Sequence, residues 1–412
     1  MSTPRSVITG IGAVTPAGIG WKENWQAVLN GRSGIRTVSS FPTKGYRTTM
    51  AGEVADFNAA QFIHEKLVDN SERFTQFAIG ATRLAMDDSK LVLKEGNQEI
   101  GVVIGCGMGG LPFFEIQADI FARKGHSFIR PGSVPRIMPS AAAAHIAALW
   151  KIRGPNITIS TACSSSNHSI GYALDLIRSG RCKTVICGGT ESLLAPMTFA
   201  AFDALRVMSK HNDSPKSACR PFDKERDGFV MGEGAVMFVV EEREQARARG
   251  ASIYAELAGY GSSNGAYNIL APEPDGAEAS ESMEAALRDA GVKPDDVDYI
   301  HAHGTATRDN DLTETLAIKK TFGAHSKKLL ISSTKPITGH MMGSAGAMGI
   351  LVCVLSIKTG KVPPTLNYQT PDPDCDLNYM AGKSHKVPVR VALSNAFAFG
   401  SNNATIVIKR ED

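Results

Sequence analysis

A chain of 412 residues, 43% hydrophobic and 21% charged, has ordinary globular composition and is long enough for two domains or one large fused one. A net charge of +3 creates no whole-chain field for nucleic acid, so an acidic partner would have to meet a local basic patch. Seven cysteines, an odd number without paired Cys-x-x-Cys spacing, argue against a disulfide framework and a structural zinc site and suit a reducing compartment.

The opening MSTPRSVITGIGAV lacks the long apolar stretch of a signal peptide, and the cytoplasm is the expected location. Residues 6–18 (SVITGIGAVTPAG) read as a strand entering a glycine-rich turn. Residues 100–110 (IGVVIGCGMGG) read as a strand ending in glycines. There Gly105, Gly107 and Gly110 satisfy GxGxxG, but no acidic residue ends a second strand about 20 positions on, as a dinucleotide site needs. A tight strand-to-helix turn is the preferred reading. Residues 157–180 (ITISTACSSSNHSIGYALDLIRSG) read as a strand, a turn and an apolar helix ending at glycine.

The second half follows the same plan. Residues 253–265 repeat the opening pattern, 297–307 (VDYIHAHGTAT) form a strand ending in His-Gly-Thr, and 329–360 give strand, turn and apolar helix. Strands alternating with helical patterns predict an α/β fold with parallel sheets. The internal rhyme predicts two similar βαβ-rich halves packed face to face, residues 1–250 and 251–412. The longest apolar stretch, Met341 to Leu355, is shorter than the roughly 18 residues of a membrane span. Gly343, Ser344, Gly346 and Gly349 interrupt it, so it reads as a buried helix and no membrane span is expected.

Chemistry concentrates at strand ends. At a strand-to-helix turn, the Cys163 sulfur would lie near a helix N-terminus, where unpaired N–H groups and the dipole favour thiolate and could hold an oxyanion. The small residues Ser164, Ser165 and Ser166 leave space for an incoming carbonyl. By itself the residue reads equally as a nucleophile or as a buried structural thiol. His303 ends the strand YIHAH, and His340 follows SSTKPITG at the start of the apolar helix, near the place that Cys163 takes in the first half. Two halves facing each other would bring the three together.

TACSSS, HGTAT, TKPITGHMMGSAG, SNAFAFGSNN, RPFDKERDGFVMGEGA (220–235) and VPPTLNY (362–368) together resemble the β-ketoacyl-acyl-carrier-protein synthases of the thiolase-like superfamily. The elongating Cys-His-His type, synthase II, is closest, and the resemblance runs in order along essentially the whole chain. It implies the thiolase-like fold, an α-β-α-β-α layering, and an acyltransferase that condenses an acyl group on Cys163 with malonyl-acyl-carrier protein. An activated thiolate suits the transfer, and two imidazoles suit a developing enolate oxygen.

The resemblance further implies roles for other residues. Lys335 pairs with Glu314 and orders His303 and His340. Thr305 and Thr307 bond the pantetheine arm. Phe399 gates the acyl site and joins Cys163 in the oxyanion hole, and Met108 lines the acyl tunnel. Arg123, Lys124 and Arg206 are candidates for docking acyl carrier protein, with solvated surface charge the alternative for each. Metal and cofactor are not implied, since substrates ride on phosphopantetheine. The expected assembly is a homodimer, or a heterodimer with a chain-length-factor-like subunit.

Departures from the family pattern cluster near the acyl site. Ala398 and Ser401 replace glycines of the late loop. The facing loop, Gly265-Ala266-Tyr267-Asn268-Ile269-Leu270, lacks the usual Asp and His around its tyrosine. Met108 stands for an isoleucine, and Gly132 and Ser133 for two phenylalanines that would floor the partner's tunnel. These leave a specialised polyene or polyketide ketosynthase subunit as the alternative to fatty-acid elongation. Cys163 argues against a non-catalytic chain-length factor. Cys375, in DPDCDLN, does not fit the second cysteine of a degradative thiolase.

Overall fold

A computed structural model describes residues 3–93 and 97–412. Its main sheet contains strands Ser6–Thr15 (β1), Ile100–Gly105 (β2), Asn156–Ile159 (β3), Thr184–Glu191 (β4) and Gly234–Glu242 (β5) from the first part of the chain. Ala255–Asn264 (β6), Tyr299–His301 (β7), Leu330–Ser332 (β8), Val391–Ala398 (β9) and Asn402–Lys409 (β10) follow. Their order is β8-β7-β9-β10-β6-β1-β5-β4-β2-β3. Read outward from the β6–β1 junction, the two sides are the same series: β1, β5, β4, β2, β3 against β6, β10, β9, β7, β8.

The expectation of parallel sheets holds only at the outer ends. β3, β2 and β4 run parallel, as do β8, β7 and β9. All pairings between β4 and β9, through the centre, are antiparallel. At the β9–β10 pairing the reason is connection length. β9 and β10 are joined by residues 399–401 alone, and so short a link returns the chain antiparallel.

Strand alternation produces the layers. Along AVMFVV of β5, Val236, Phe238 and Val240 enter the central core, while Ala235, Met237 and Val239 pack outward. The central core surrounds two helices, Ser165–Arg178 (α3) and Ala345–Thr359 (α6). The outer face of the first side is covered by Arg73–Ser89 (α1), and that of the second by Ala277–Ala290 (α4) and Arg308–Phe322 (α5). The result is the expected thiolase-like α-β-α-β-α stack.

The window Met342–Thr359 reaches 18 residues and is long and apolar enough to cross a membrane, but 83% of it is buried inside the protein. Every residue from Gly346 to Ile357 is enclosed. Its apolarity all round is that of a helix with sheet on both sides.

The glycines of ITGIGAV serve packing. A Cβ at Gly12 would lie 1.9 Å from the Ala81 carbonyl oxygen, so helix α1 rests directly on the β1 backbone. Gly12→Ala is therefore expected to lower unfolding free energy by about 1–3 kcal/mol, seen as a reduced urea midpoint. An unchanged midpoint would show that α1 has room to shift.

Candidate active site

β3 ends at Ile159, and the chain turns through Ala162–Ser164 into α3. Ala162 takes a positive φ of 49°, unusual for a side-chain-bearing residue, which sets Cys163 at the apex of the turn. The second half repeats this with Met342, φ 44°, before Gly343 and Ser344. The position matching Cys163 is thus Gly343, and His340 lies three residues before it, on the turn that follows the short helix Lys335–Thr338. His340 Nε2 stands 3.0 Å from Cys163 Sγ. The His303 and His340 rings meet edge to face with centroids 5.4 Å apart.

Each histidine is held by backbone. The His340 N–H donates to the Val230 carbonyl at 2.7 Å, and its own carbonyl accepts from Gly232 at 2.9 Å. The turn after His303 is secured by α5. Glu314 accepts the N–H groups of His303 and Gly304, each at 2.8 Å, and the Asn395 amide at 3.2 Å. One helical turn earlier, Asp311 accepts the N–H of Ala306 at 3.3 Å and that of Phe222 at 2.7 Å. Spacing of i,i+3 puts both acids on one face of the helix, toward the turn they hold.

The expected Lys335–Glu314 pair is not made. Lys335 Nζ donates to the His303 carbonyl oxygen and lies 3.4 Å from His303 Nδ1. Glu314 is already occupied by its three N–H donors, so the two charges attract across His303 without touching. The lysine contacts His303 instead. Its ammonium can only donate, so His303 Nδ1 accepts and the ring proton sits on Nε2.

Burial governs the charge states. It pushes the Cys163 thiol up to about 12, against the opposing pull of Lys335 and of the Cys163 and Phe399 backbone N–H groups that face the sulfur. Both histidines are driven well below their usual range by burial and by the Lys335 ammonium. Glu314 is raised to about 7 by burial. The resting site is therefore a neutral thiol beside neutral imidazoles. The helix N-terminus expected to favour thiolate is outweighed by desolvation.

Cys163, His303 and His340 offer donor atoms within 4.8 Å of one another, a spacing a metal ion could use. The buried Lys335 ammonium, close enough to depress both imidazoles, would repel a dication there.

A cavity of about 170 Å³ opens onto the three residues. Thr305, Thr307, Phe399 and Met108 all line it, together with Leu193, Phe202 and Phe229. The Thr305 and Thr307 hydroxyls bond each other at 2.8 Å on one wall. Among the candidate docking residues, Arg206 is exposed beside Val207 of the cavity wall and near Lys44 and Arg47. Arg123 and Lys124 end the helix Leu111–Lys124 (α2) and do not line the cavity, and Arg123 is paired with Asp119 at 2.7 Å.

Glu191 escaped the sequence reading. Fully buried at the end of β4, it accepts the N–H groups of Gly107 at 2.7 Å, Met108 at 3.2 Å and Gly343 at 3.2 Å. One carboxylate thus joins the Met108 wall to the turn beside His340. A Cβ at Gly107 would stand 2.6 Å from it, and one at Gly343 2.7 Å. A Cβ at Gly105 would stand 2.4 Å from the Ser165 carbonyl carbon and one at Gly110 2.4 Å from the Arg136 carbonyl oxygen, so the GxGxxG match is a packing requirement. The available signal was an acid closing an otherwise apolar strand, VICGGTE.

Two mirrored α/β halves with a cysteine and two histidines meeting at their strand ends define a condensing enzyme of the thiolase type. The chain belongs to the beta-ketoacyl synthase family, whose N-terminal domain matches residues 4–246 and whose C-terminal domain matches residues 254–369. It is 45% identical over 407 residues to a 3-oxoacyl-[acyl-carrier-protein] synthase 2 of Synechocystis sp., covering 98% of each chain. It is 42% identical over 411 residues to the protein of that name from Coxiella burnetii, covering 100% of this chain and 99% of the other. Among solved structures it resembles the ishigamide ketosynthase/chain length factor, with a TM-score of 0.94, 34% identity and full coverage of both chains. It is also similar to AntDE:AntF, a type II polyketide synthase acyl-carrier protein in complex with its ketosynthase bound to the hexaketide, with a TM-score of 0.92, 33% identity and full coverage of both chains.

A thiol raised to about 12 gains thiolate tenfold per pH unit below that value. Alkylation of Cys163 by iodoacetamide, followed by intact mass with Cys163→Ala as control, should accelerate close to tenfold per unit between pH 6 and 9. A flat profile would mean a resting thiolate.

Proposed function

We propose that this protein is a 3-oxoacyl-acyl-carrier-protein synthase that extends acyl chains by decarboxylative Claisen condensation. The observation that carries the proposal is the 3.0 Å approach of Cys163 Sγ to His340 Nε2, with His303 beside it, on the wall of one cavity. In the first step the Cys163 sulfur attacks an acyl thioester. His340 shares the thiol proton, which leaves on the carrier's pantetheine sulfur as the acyl–cysteine bond forms. The backbone N–H groups of Cys163 and Phe399, which face the sulfur, receive the carbonyl oxygen in the tetrahedral state.

In the second step malonyl-carrier protein loses carbon dioxide. His303 and His340 offer N–H to the enolate oxygen, the carbanion attacks the acyl-cysteine carbonyl, and the sulfur leaves as a thiolate that takes one proton from solvent to restore the resting thiol. The product is a 3-oxoacyl thioester two carbons longer. Two imidazoles kept neutral by burial and by Lys335 can donate to an oxyanion without acting as permanent cations. Glu314 and Lys335 position His303, while Thr305 and Thr307 offer hydroxyls to the pantetheine arm. The enzyme needs no cofactor of its own, because its substrates arrive on the carrier's phosphopantetheine.

The partner assignments follow from the surface. Arg206 with Lys44 and Arg47 gives an acidic carrier protein a basic landing point beside the cavity, and this group is favoured over Arg123 and Lys124. Phe114, Ile116, Phe121, Phe128 and Val134 are at least 46% exposed, and β3 ends the main sheet. So large an apolar surface suits a dimer. Fatty-acid elongation in the cytoplasm is the primary reading, since identity to the synthase 2 proteins exceeds that to the polyketide ketosynthases. The small Gly132 and Ser133 beside that apolar surface keep the heterodimeric ketosynthase as the second reading.

The reading is tested by intact mass of wild-type and Cys163→Ala protein incubated with acyl-carrier proteins and then malonyl-carrier protein. The expected result is an acyl adduct on wild type only, discharged as a product two carbons longer. Absence of any adduct, even with candidate partner subunits added, would overturn it.

A further inference from the structure

His340 has little side-chain support of its own. Its Nε2 meets Cys163, and among the described residues its buried Nδ1 has no hydrogen-bond partner. His303, by contrast, has the Lys335 ammonium beside its Nδ1. The orientation of the His340 ring therefore comes from its backbone and from packing, including an edge-to-face contact with Phe229 at 5.5 Å between centroids.

That backbone lies against a strip of chain, residues 230–233. Met231 pairs in parallel with His340, and Gly232 pairs in parallel with Gly52. The Gly52 N–H donates to the Met231 carbonyl at 2.8 Å, and the Glu233 N–H donates to the Gly52 carbonyl at 3.1 Å. Both glycines press on the turn that leads to His340. A Cβ at Gly52 would fall 2.2 Å from the Thr338 carbonyl oxygen, and one at Gly232 would fall 2.3 Å from it. Backbones packed this closely pass a shift of the strip on to His340.

Glu233 ends the strip and anchors it, with 2% exposure. Its Oε1 accepts the Val54 N–H at 3.0 Å, and its Oε2 accepts the Ser192 hydroxyl at 2.7 Å. The Arg73 guanidinium, at the start of α1, donates to both oxygens, from Nε at 3.0 and 3.1 Å and from Nη2 at 2.8 Å. Nη2 also donates to the Val54 carbonyl. A carboxylate this deeply buried is stable only with such donors. Ser192 follows Glu191, which accepts the Gly343 N–H. The turn from His340 to Gly343 is thus held at both ends, by Gly232 and by Glu191. The Glu233–Ser192 bond fixes one hold relative to the other. Glu233, Arg73 and Ser192 do not line the cavity.

We propose that Glu233 is a positioning residue for His340: by clamping residues 230–233 to Arg73 and Ser192, it keeps the imidazole at Cys163. Its side chain touches neither the imidazole nor the cavity, so it acts through the backbone. Loss of the clamp slows the steps that use His340 and leaves carrier-protein binding intact. The inference rests on the condensing function proposed above.

The test measures kcat and the KM for malonyl-carrier protein in Glu233→Gln, Arg73→Lys and Ser192→Ala. Each kcat is expressed per Cys163 that can be acylated, counted by intact mass, so molecules that fail to fold do not contribute. Glu233→Gln keeps the shape but faces Arg73 and Ser192 with an amide that accepts at one end only. Its kcat should fall roughly five- to fiftyfold, with KM within about twofold of wild type. Arg73→Lys should fall less, and Ser192→Ala least. A role in stability alone would lower the melting temperature and the fraction that can be acylated, with kcat per acylated site unchanged. That result would overturn the proposal, and Arg73→Lys is read in the same way if Glu233→Gln does not fold. Crystal structures of wild type and variant supply the second readout, the separation of His340 Nε2 from Cys163 Sγ, expected to lengthen in the variant. If wild type condenses nothing, the condensing function fails, and this separation alone decides: a lengthened one supports the clamp, and an unchanged one overturns it.

Discussion

The structure depends on two helix N-termini meeting at its centre. α3 and α6 leave their turns toward each other, and their first residues touch. The Ala347 N–H donates to Ser166 Oγ at 2.9 Å, and a Cβ at Gly346 would fall 2.1 Å from Asn167 Oδ1. Asn167 in turn donates to the Ser394 and Ala404 carbonyls, each at 3.0 Å, tying the helix to the β9–β10 hairpin. Only small or hydrogen-bonding side chains fit where two backbones come this close. That is why serines follow Cys163 and glycines follow His340. The same approach that closes the core carries a thiol from one half to an imidazole of the other.

Closing that core sets the site's electrostatics. Ionisable groups enclosed there lose water, and each responds in its own direction: thiol and carboxylates upward, imidazoles downward. Lys335 follows the same rule, lowered by burial and held up in part by Glu314, and it shapes the rest. Buried and still close to Glu314, it biases both imidazoles toward their neutral forms and partly offsets the penalty on a Cys163 thiolate. A neutral ground state that can distribute charge only as bonds change suits a two-step reaction, first a thiolate and then an enolate. Glu191 and Glu314 serve it differently, spending their lone pairs on backbone N–H groups and so holding turns rather than neighbouring charges.

Much of this was legible in the chain. Strands ending in glycine or histidine, a cysteine before three serines and a rhyme between residues 157–180 and 329–360 each reflect a local physical demand. Two demands were not readable. Glu314 was expected to hold Lys335 because the family resemblance implies that pair, yet backbone donors from His303 and Gly304 occupy it. Glu191 closed an apolar strand, and its meaning depends on Gly107, 84 positions earlier, and Gly343, 152 positions later.

By itself the sequence determined the layered α/β plan, the family and the cysteine and histidines of the site, because periodicity and turn chemistry are local and the motifs stand in order along the chain. The tertiary structure decided the antiparallel centre of the sheet, the neutral state of the thiol and histidines, the partners of Lys335 and Glu314, and the bridging place of Glu191. Each of these depends on which backbone groups and charges arrive from distant segments and on how much water they displace. Desolvation and competition for hydrogen bonds are properties of the assembled interior, and neither is written in the order of residues along one strand or helix.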